Sequence, residues 1–175
     1  SAYQIEKEDD ILEPGQAYKS PILFGASTDK GLSALSGAFH RHVRAKLTDR
    51  RIANKIRPVH FNTWEAVYFD LSLERLCTLA EHAREVGAER FVLDDGWFKN
   101  RKSDNAGLGD WAVDKTVFPA GLAPLINYVY KNDMEFGLWV EPEMVNPDSD
   151  LYRAHPDWIL NTQPAPLLSA RNQLV

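Results

Sequence analysis

Three short apolar runs each pass directly into a cluster that combines tryptophan with acid, and this limits the chain to few folds. Pro58 to Phe61 leads into Asn62-Thr63-Trp64-Glu65, Phe91 to Leu93 into Asp94-Asp95-Gly96-Trp97-Phe98, and Phe136 to Leu138 into Trp139-Val140-Glu141-Pro142-Glu143. Helical patterns separate the runs. Leu73, Leu76, Leu79, Ala80 and Ala83 share one helical face, with Ser72 placed to cap the start and Gly87 to end it. Leu122 to Lys131 forms the second helical pattern, with Pro124 in its first turn and Leu122, Leu125, Ile126 and Val129 facing inward. Strands alternating with helices through short links predict parallel βαβ units, and Arg171 to Val175 reads as the start of a fourth strand. In such units the functional groups sit beyond the carboxyl ends of the strands, where all three clusters fall, and that is the layout of a (β/α)₈ barrel. The segment Gly96 to Gly121, with Asp110 and Trp111, is long for a βα connection and is expected to wall the same region.

The pattern changes near residue 57. Ser1 to Ser27 carries a Pro14-Gly15 turn and then the run Ala17 to Phe24, which reads as the last strands of a β domain. Gly31 to Leu47, with Leu32, Leu35, Phe39, Val43 and Leu47 at helical spacing, reads as an amphipathic connecting helix.

Charge and composition remove several function classes. The net charge of −5 over 175 residues argues against a nucleic-acid partner, because phosphate binding needs a clustered basic face. The one basic stretch, Arg41 to Arg57, is interrupted by Leu47, Ile52 and Ile56 and reads as a solvated face or linker. Neither a membrane span nor a basic-then-apolar leader is visible, and the single Cys77 fits a reducing compartment. His40 and His42 form a His-x-His pair, but on a helix residues i and i+2 face apart, so no metal is expected. Gly107-Leu108-Gly109-Asp110 lacks the strand and helix context of a phosphate loop, so no nucleotide cofactor is expected either.

Carboxylates beside flat rings suit a sugar, which offers hydroxyls to bind and an apolar C–H face to stack on. A retaining glycosidase needs two carboxyl groups about 5–5.5 Å apart on opposite sides of the scissile bond. Asp94 and Asp95 are sequence neighbours, an arrangement better matched to hydroxyl binding than to a nucleophile facing an acid. Trp64 and Trp139 read as pocket walls and Trp158 as core or loop packing, while Glu141 and Glu143 are left open between substrate contact and orientation of the backbone or of Arg171.

The ordered runs Pro58-Val59-His60-Phe61-Asn62-Thr63-Trp64-Glu65, Phe91 to Phe98, Gly137 to Val145, His155-Pro156-Asp157-Trp158 and Arg171-Asn172-Gln173-Leu174-Val175 resemble α-galactosidases of glycoside hydrolase family 36. The resemblance implies a fold in three parts. Residues 1–30 would be the last strands of an N-terminal β-supersandwich, 31–56 a connecting helix and linker, and 57–175 the first three to four strands of a (β/α)₈ barrel. It implies that Asp94 and Asp95 bind the 4- and 6-hydroxyls of galactose, that Trp139 and Trp64 line the sugar pocket, and that Arg171 contacts the sugar. The implied activity is retaining hydrolysis of terminal α-linked galactose from oligosaccharides such as melibiose or raffinose, with no metal or organic cofactor, by a cytoplasmic enzyme that is a homo-oligomer when complete. The family's nucleophile lies in a Lys-x-Asp motif at the end of the fourth strand region and its acid/base aspartate further on. Both are expected outside this chain, which then carries recognition residues and no catalytic pair. Other readings are a non-catalytic sugar-binding or assembly fragment, and an α-N-acetylgalactosaminidase or galactosyl transferase of the same family tree.

Overall fold

A computed structural model describes residues 12–46, 49–53, 55–160 and 171–175. The chain divides into two compact units, Ser1–Ile56 and Arg57–Val175. In the first, Gly15 takes φ +91° after Pro14 in a turn closed by the Gln16 N–H on the Glu13 carbonyl at 2.9 Å, and helix α1 spans Gly31–Lys46. A four-residue helix α2 covers Arg50–Ala53. The strands expected before residue 30 are not formed among the described residues 12–30; any part of them in residues 1–11, like Leu47 at the end of the expected helix, lies outside the described residues.

The second unit is built on three parallel strands, β1 (His60–Asn62), β2 (Arg90–Leu93) and β3 (Glu135–Leu138), in the order β1-β2-β3. The register sets Phe61 against Phe91 and Phe91 against Phe136, so three phenylalanines form one row across the sheet. The Phe61 and Phe91 rings stack at 5.6 Å. Arg90 and Glu135 are also register partners and form a cross-strand ion pair. Phe91 and Leu93 of the central strand are fully buried, as the period of two requires when one face packs under helices.

Helices α4 (Leu73–Glu85) and α5 (Ala123–Lys131) supply the opposing layer and pack on each other, with Leu76, Ala80, Ala83, Leu125 and Val129 buried in one cluster with Phe91, Leu93 and Met134. Leu73, expected inward, is instead 37 % exposed, because it is the first residue of α4 and the buried stripe begins one turn later at Leu76. Ser72 caps α4, its hydroxyl accepting from the Arg75 N–H at 3.2 Å. Gly87 ends it at φ +87°, with the Ala88 N–H bonded to the Ala83 carbonyl and the Gly87 N–H to the Arg84 carbonyl.

Helix α5 closes with the same pair of bonds, Met134 N–H to Val129 and Asp133 N–H to Tyr130, but Asp133 occupies the left-handed position at φ +53°. An L side chain is strained there and glycine is not. Asp133→Gly should therefore raise the folding free energy by about 0.5–1 kcal/mol, read as a higher urea midpoint with an unchanged slope. A lower midpoint would contradict the helix end described here.

Two expectations change beyond the strands. The first strand stops at Asn62, and Trp64 opens the short helix α3 (Trp64–Val67). The tail forms no fourth strand of the sheet among the described residues: Leu174 makes an isolated antiparallel bridge with Val145. Of the two readings of Trp158, core and loop packing, the second holds: it closes a 3₁₀ turn after α6 (Asp150–Ala154), 62 % exposed, with its ring stacked on His155 at 4.1 Å.

Candidate active site

The carboxyl ends of the three strands open into one cleft of about 440 Å³, lined by Trp64, Asp94, Asp95, Asp104, Trp139, Val140, Glu141, Glu143 and Arg171. All five residues singled out in the sequence, Trp64, Asp94, Asp95, Trp139 and Arg171, are among them. Register accounts for much of this. Leu93 and Leu138 are paired as the last residues of β2 and β3, so Asp94 and Trp139 leave the sheet side by side, and the Trp139 N–H still bonds to the Leu93 carbonyl at 2.9 Å.

The two adjacent aspartates sit in different surroundings. Asp94 takes the N–H of Asp95 on Oδ1 at 2.8 Å and the side-chain amide of Asn62 on Oδ2, and its own N–H donates to the buried Thr63 hydroxyl at 3.0 Å. Asn62 in turn accepts the Trp64 N–H on Oδ1 at 2.8 Å, so one amide orients both a wall of the cleft and a carboxylate on its floor. Asp95 is gripped by a cation. The Arg101 Nε donates to its Oδ1 at 2.8 Å and Nη2 to its Oδ2 at 2.7 Å, a two-pronged pair in which the arginine side chain is 1 % and the aspartate side chain 7 % exposed. Gly96 makes the chain turn after the pair: its φ is +97°, and its N–H donates to Asp95 Oδ1 at 2.7 Å.

Arg101 has five further partners. Its Nη1 donates to the carbonyls of Asp104 and Ala106 and to Asn146 Oδ1, at 3.0–3.1 Å, and its guanidinium lies 5.6 Å from the ring centres of both Phe69 and Phe98. Asn146 is fully buried; it accepts the Leu108 N–H at 3.0 Å and donates to the carbonyls of Asp104, Arg171 and Asn172. Through these two side chains the loop after β2, the loop after β3 and the tail are tied together around the cleft.

The long loop after β2 contributes more than a wall. Asp104 lines the cleft and pairs with Arg171 at 3.7 Å. Asp110 accepts the N–H groups of Asp150 and Leu151 at 2.9 and 3.0 Å, anchoring α6. Trp111 packs with Trp97, Phe98 and Trp139, and Trp97, itself buried core, donates Nε1–H to the Trp139 carbonyl at 3.0 Å. The Trp139 backbone is thus fixed from beneath, and the residue lines the cleft with its ring 6.2 Å from Trp111 and 6.5 Å from Phe98. Both Glu141 and Glu143 line the cleft. Burial pushes the Glu141 carboxyl above the ordinary glutamate value, the charge of Glu143 adds to this, and Arg101 and Arg171 pull it partly back.

Sequence reasoning missed Asn62, Thr63, Arg101, Asp104 and Asn146. The usable signal for Arg101 was electrostatic: two adjacent acids placed under aromatic cover need a counter-charge, and Arg101 is the first arginine after them. The bare triplet Lys-x-Asp occurs three times in the chain, as Lys7-Glu8-Asp9, Lys131-Asn132-Asp133 and, at the cleft, Lys102-Ser103-Asp104. The last lies in the loop after β2 rather than at the end of a fourth strand, and its aspartate is held against Arg171.

A family model, melibiase, matches residues 17–175. The chain belongs to the melibiase family. An α-galactosidase of Escherichia coli is 48 % identical over 150 residues, which is 86 % of this chain and 21 % of that protein. Among solved structures, the family 36 α-galactosidase AgaB of Geobacillus stearothermophilus superposes with a TM-score of 0.76 at 47 % identity, over 85 % of this chain and 20 % of that one. A variant of AgaA from the same organism, solved in complex with raffinose, gives a TM-score of 0.76 at 44 % identity over 85 % of this chain and 21 % of that one. These relatives are glycoside hydrolases, and the chain spans about a fifth of their length. Among the described residues no helix is long and apolar enough to cross a membrane.

Proposed function

We propose that the cleft receives the terminal galactose of an α-galactoside, and that this chain supplies the sugar-recognising part of a retaining α-galactosidase whose three parallel strands begin a (β/α)₈ barrel. The observation that carries this reading is the convergence of Trp64, Asp94, Asp95, Trp139 and Arg171 on one cleft at the carboxyl ends of those strands. Asp94 and Asp95 accept hydroxyls of the sugar, corresponding to its 4- and 6-positions. Trp139 and Trp64 offer flat apolar surface to the ring, and Arg171 donates from the tail. The raffinose complex of the AgaA variant supports a galactose-containing oligosaccharide as the substrate.

The chemistry calls for two carboxyl groups across the scissile bond, about 5–5.5 Å apart. Asp94 and Asp95 leave the same strand end and carry hydrogen bonds on both of their carboxylate oxygens, and Asp95 is charge-paired with Arg101. A carboxylate so occupied is a weak nucleophile, so the catalytic pair is assigned outside residues 1–175. What these side chains do is hold the sugar in a fixed attitude while that pair acts.

The test is hydrolysis of p-nitrophenyl α-galactoside by the complete protein that contains these residues, with the first-formed sugar identified by NMR, and by the 175-residue chain alone. The complete protein should release α-galactose first and leave the α-glucoside essentially untouched, and the chain alone should show no turnover. Release of the β-anomer, or equal rates on the two sugars, would contradict the reading. Turnover by the chain alone would move the catalytic pair into it, with Asp104 the first carboxylate to examine.

A further inference from the structure

Two neighbouring aspartates in a cleft that also holds Asp104, Glu141 and Glu143 crowd five carboxylates together, and among the described residues lining the cleft Arg171 is the only cation. Arg101 stands behind this surface, buried at 1 %, with its fork on Asp95, its other end on Asn146 and the loop carbonyls, and Phe69 and Phe98 on its flanks. A fork fixed by so many partners leaves Asp95 one orientation. A carboxylate has room for about four hydrogen bonds; Arg101 and the Gly96 N–H take three, which leaves one acceptor position on Oδ2.

We infer that Arg101 is the positioning residue of the cleft: it fixes the Asp95 carboxylate so that its remaining acceptor position meets one sugar hydroxyl, and through Asn146 it holds the Arg171 segment at the matching distance. This deepens the proposed galactose site and rests on it. Arg101 itself touches no substrate; it acts through Asp95 and Asn146. The pairing also divides the two aspartates by role. Asp94, whose partners among the described residues are amides, keeps its charge for the ligand, whereas the charge of Asp95 is spent on Arg101 and its contribution is direction.

Lysine and methionine variants separate this from a merely structural role. Arg101→Lys keeps the positive charge and loses the planar fork, so it should raise KM for p-nitrophenyl α-galactoside about tenfold with little change in kcat, the loss of one well-aimed charge-assisted bond. The same variant should narrow the preference for the galactoside over the α-glucoside. Arg101→Met removes the charge from among Asp94, Asp95, Asp104, Glu141 and Glu143, with Arg171 left as the cation facing them. Like charges disfavour one another's ionised forms, so the acid limb of the 1/KM profile should move to higher pH in Arg101→Met and stay in place in Arg101→Lys.

A merely structural arginine predicts otherwise: kcat falls with the folded fraction, while KM, sugar preference and acid limb are unmoved. That result overturns the inference, and so does failure of Arg101→Lys to fold, since the fork would then serve stability alone. If Arg101→Met does not fold, the KM and sugar preference of Arg101→Lys decide. Wild-type protein with no galactoside turnover in the same assay strikes the proposed function instead, so the two failures are distinguishable.

Discussion

Asp95→Asn is expected to cost about 3–5 kcal/mol of folding free energy, because it breaks a buried ion pair from one side only. The asparagine would keep one oxygen to face the Arg101 fork and would turn its amide protons either toward the guanidinium or toward the Gly96 N–H, both of them donors. Arg101, at 1 % exposure, would then hold a charge with no counter-ion. Urea unfolding should show the midpoint falling by well over 1 M if the slope is near the 1–3 kcal/mol/M usual for small domains. Removing both partners together, in Asp95→Asn with Arg101→Met, should recover much of the loss, since no buried charge is then left alone. A single variant that unfolds like the wild type would show that the pair is not the anchor of this loop.

Read from sequence alone, Asp95 was a sugar-binding residue. The pattern of alternating strands and helices was legible because each element carried its own signal: Ser72 and Gly87 bracket α4, Pro124 opens α5, and apolar runs mark β2 and β3. The cluster at each strand end was legible for the same reason, and parallel register brought the clusters to one cleft. What one residue did to another across a loop was not. Nothing in the spacing of Arg101 and Asn146, 45 residues apart, says that the guanidinium and the amide meet. Their long-range bonds depend on how the loop after β2 folds back, which the Phe98–Val113 bridge and the Asp110 bonds to α6 decide.

The tail shows a different limit. Arg171 to Val175 reads as a strand start, yet Leu174 pairs antiparallel with Val145, and the segment is secured by Asn146 through the Arg171 and Asn172 carbonyls. Local pattern alone could not separate a strand that joins the sheet from one that closes a loop. Arg171 reaches the cleft either way, so its place among the site residues did not depend on that assignment.

Asp94→Asn in the complete protein tests the galactose site most directly, because Asp94 lines the cleft and among the described residues pairs with no cation. Its partners are the Asn62 amide and the Asp95 N–H, and an asparagine oxygen can still accept from one of them, so the fold should be kept to within about 1–2 kcal/mol. The bond from a sugar hydroxyl would change from charge-assisted to neutral, a loss of about 2–4 kcal/mol in the transition state. The account predicts that kcat/KM on p-nitrophenyl α-galactoside falls by about 30-fold or more while the urea midpoint moves little. A folded Asp94→Asn protein that hydrolyses the galactoside at the wild-type kcat/KM would contradict it.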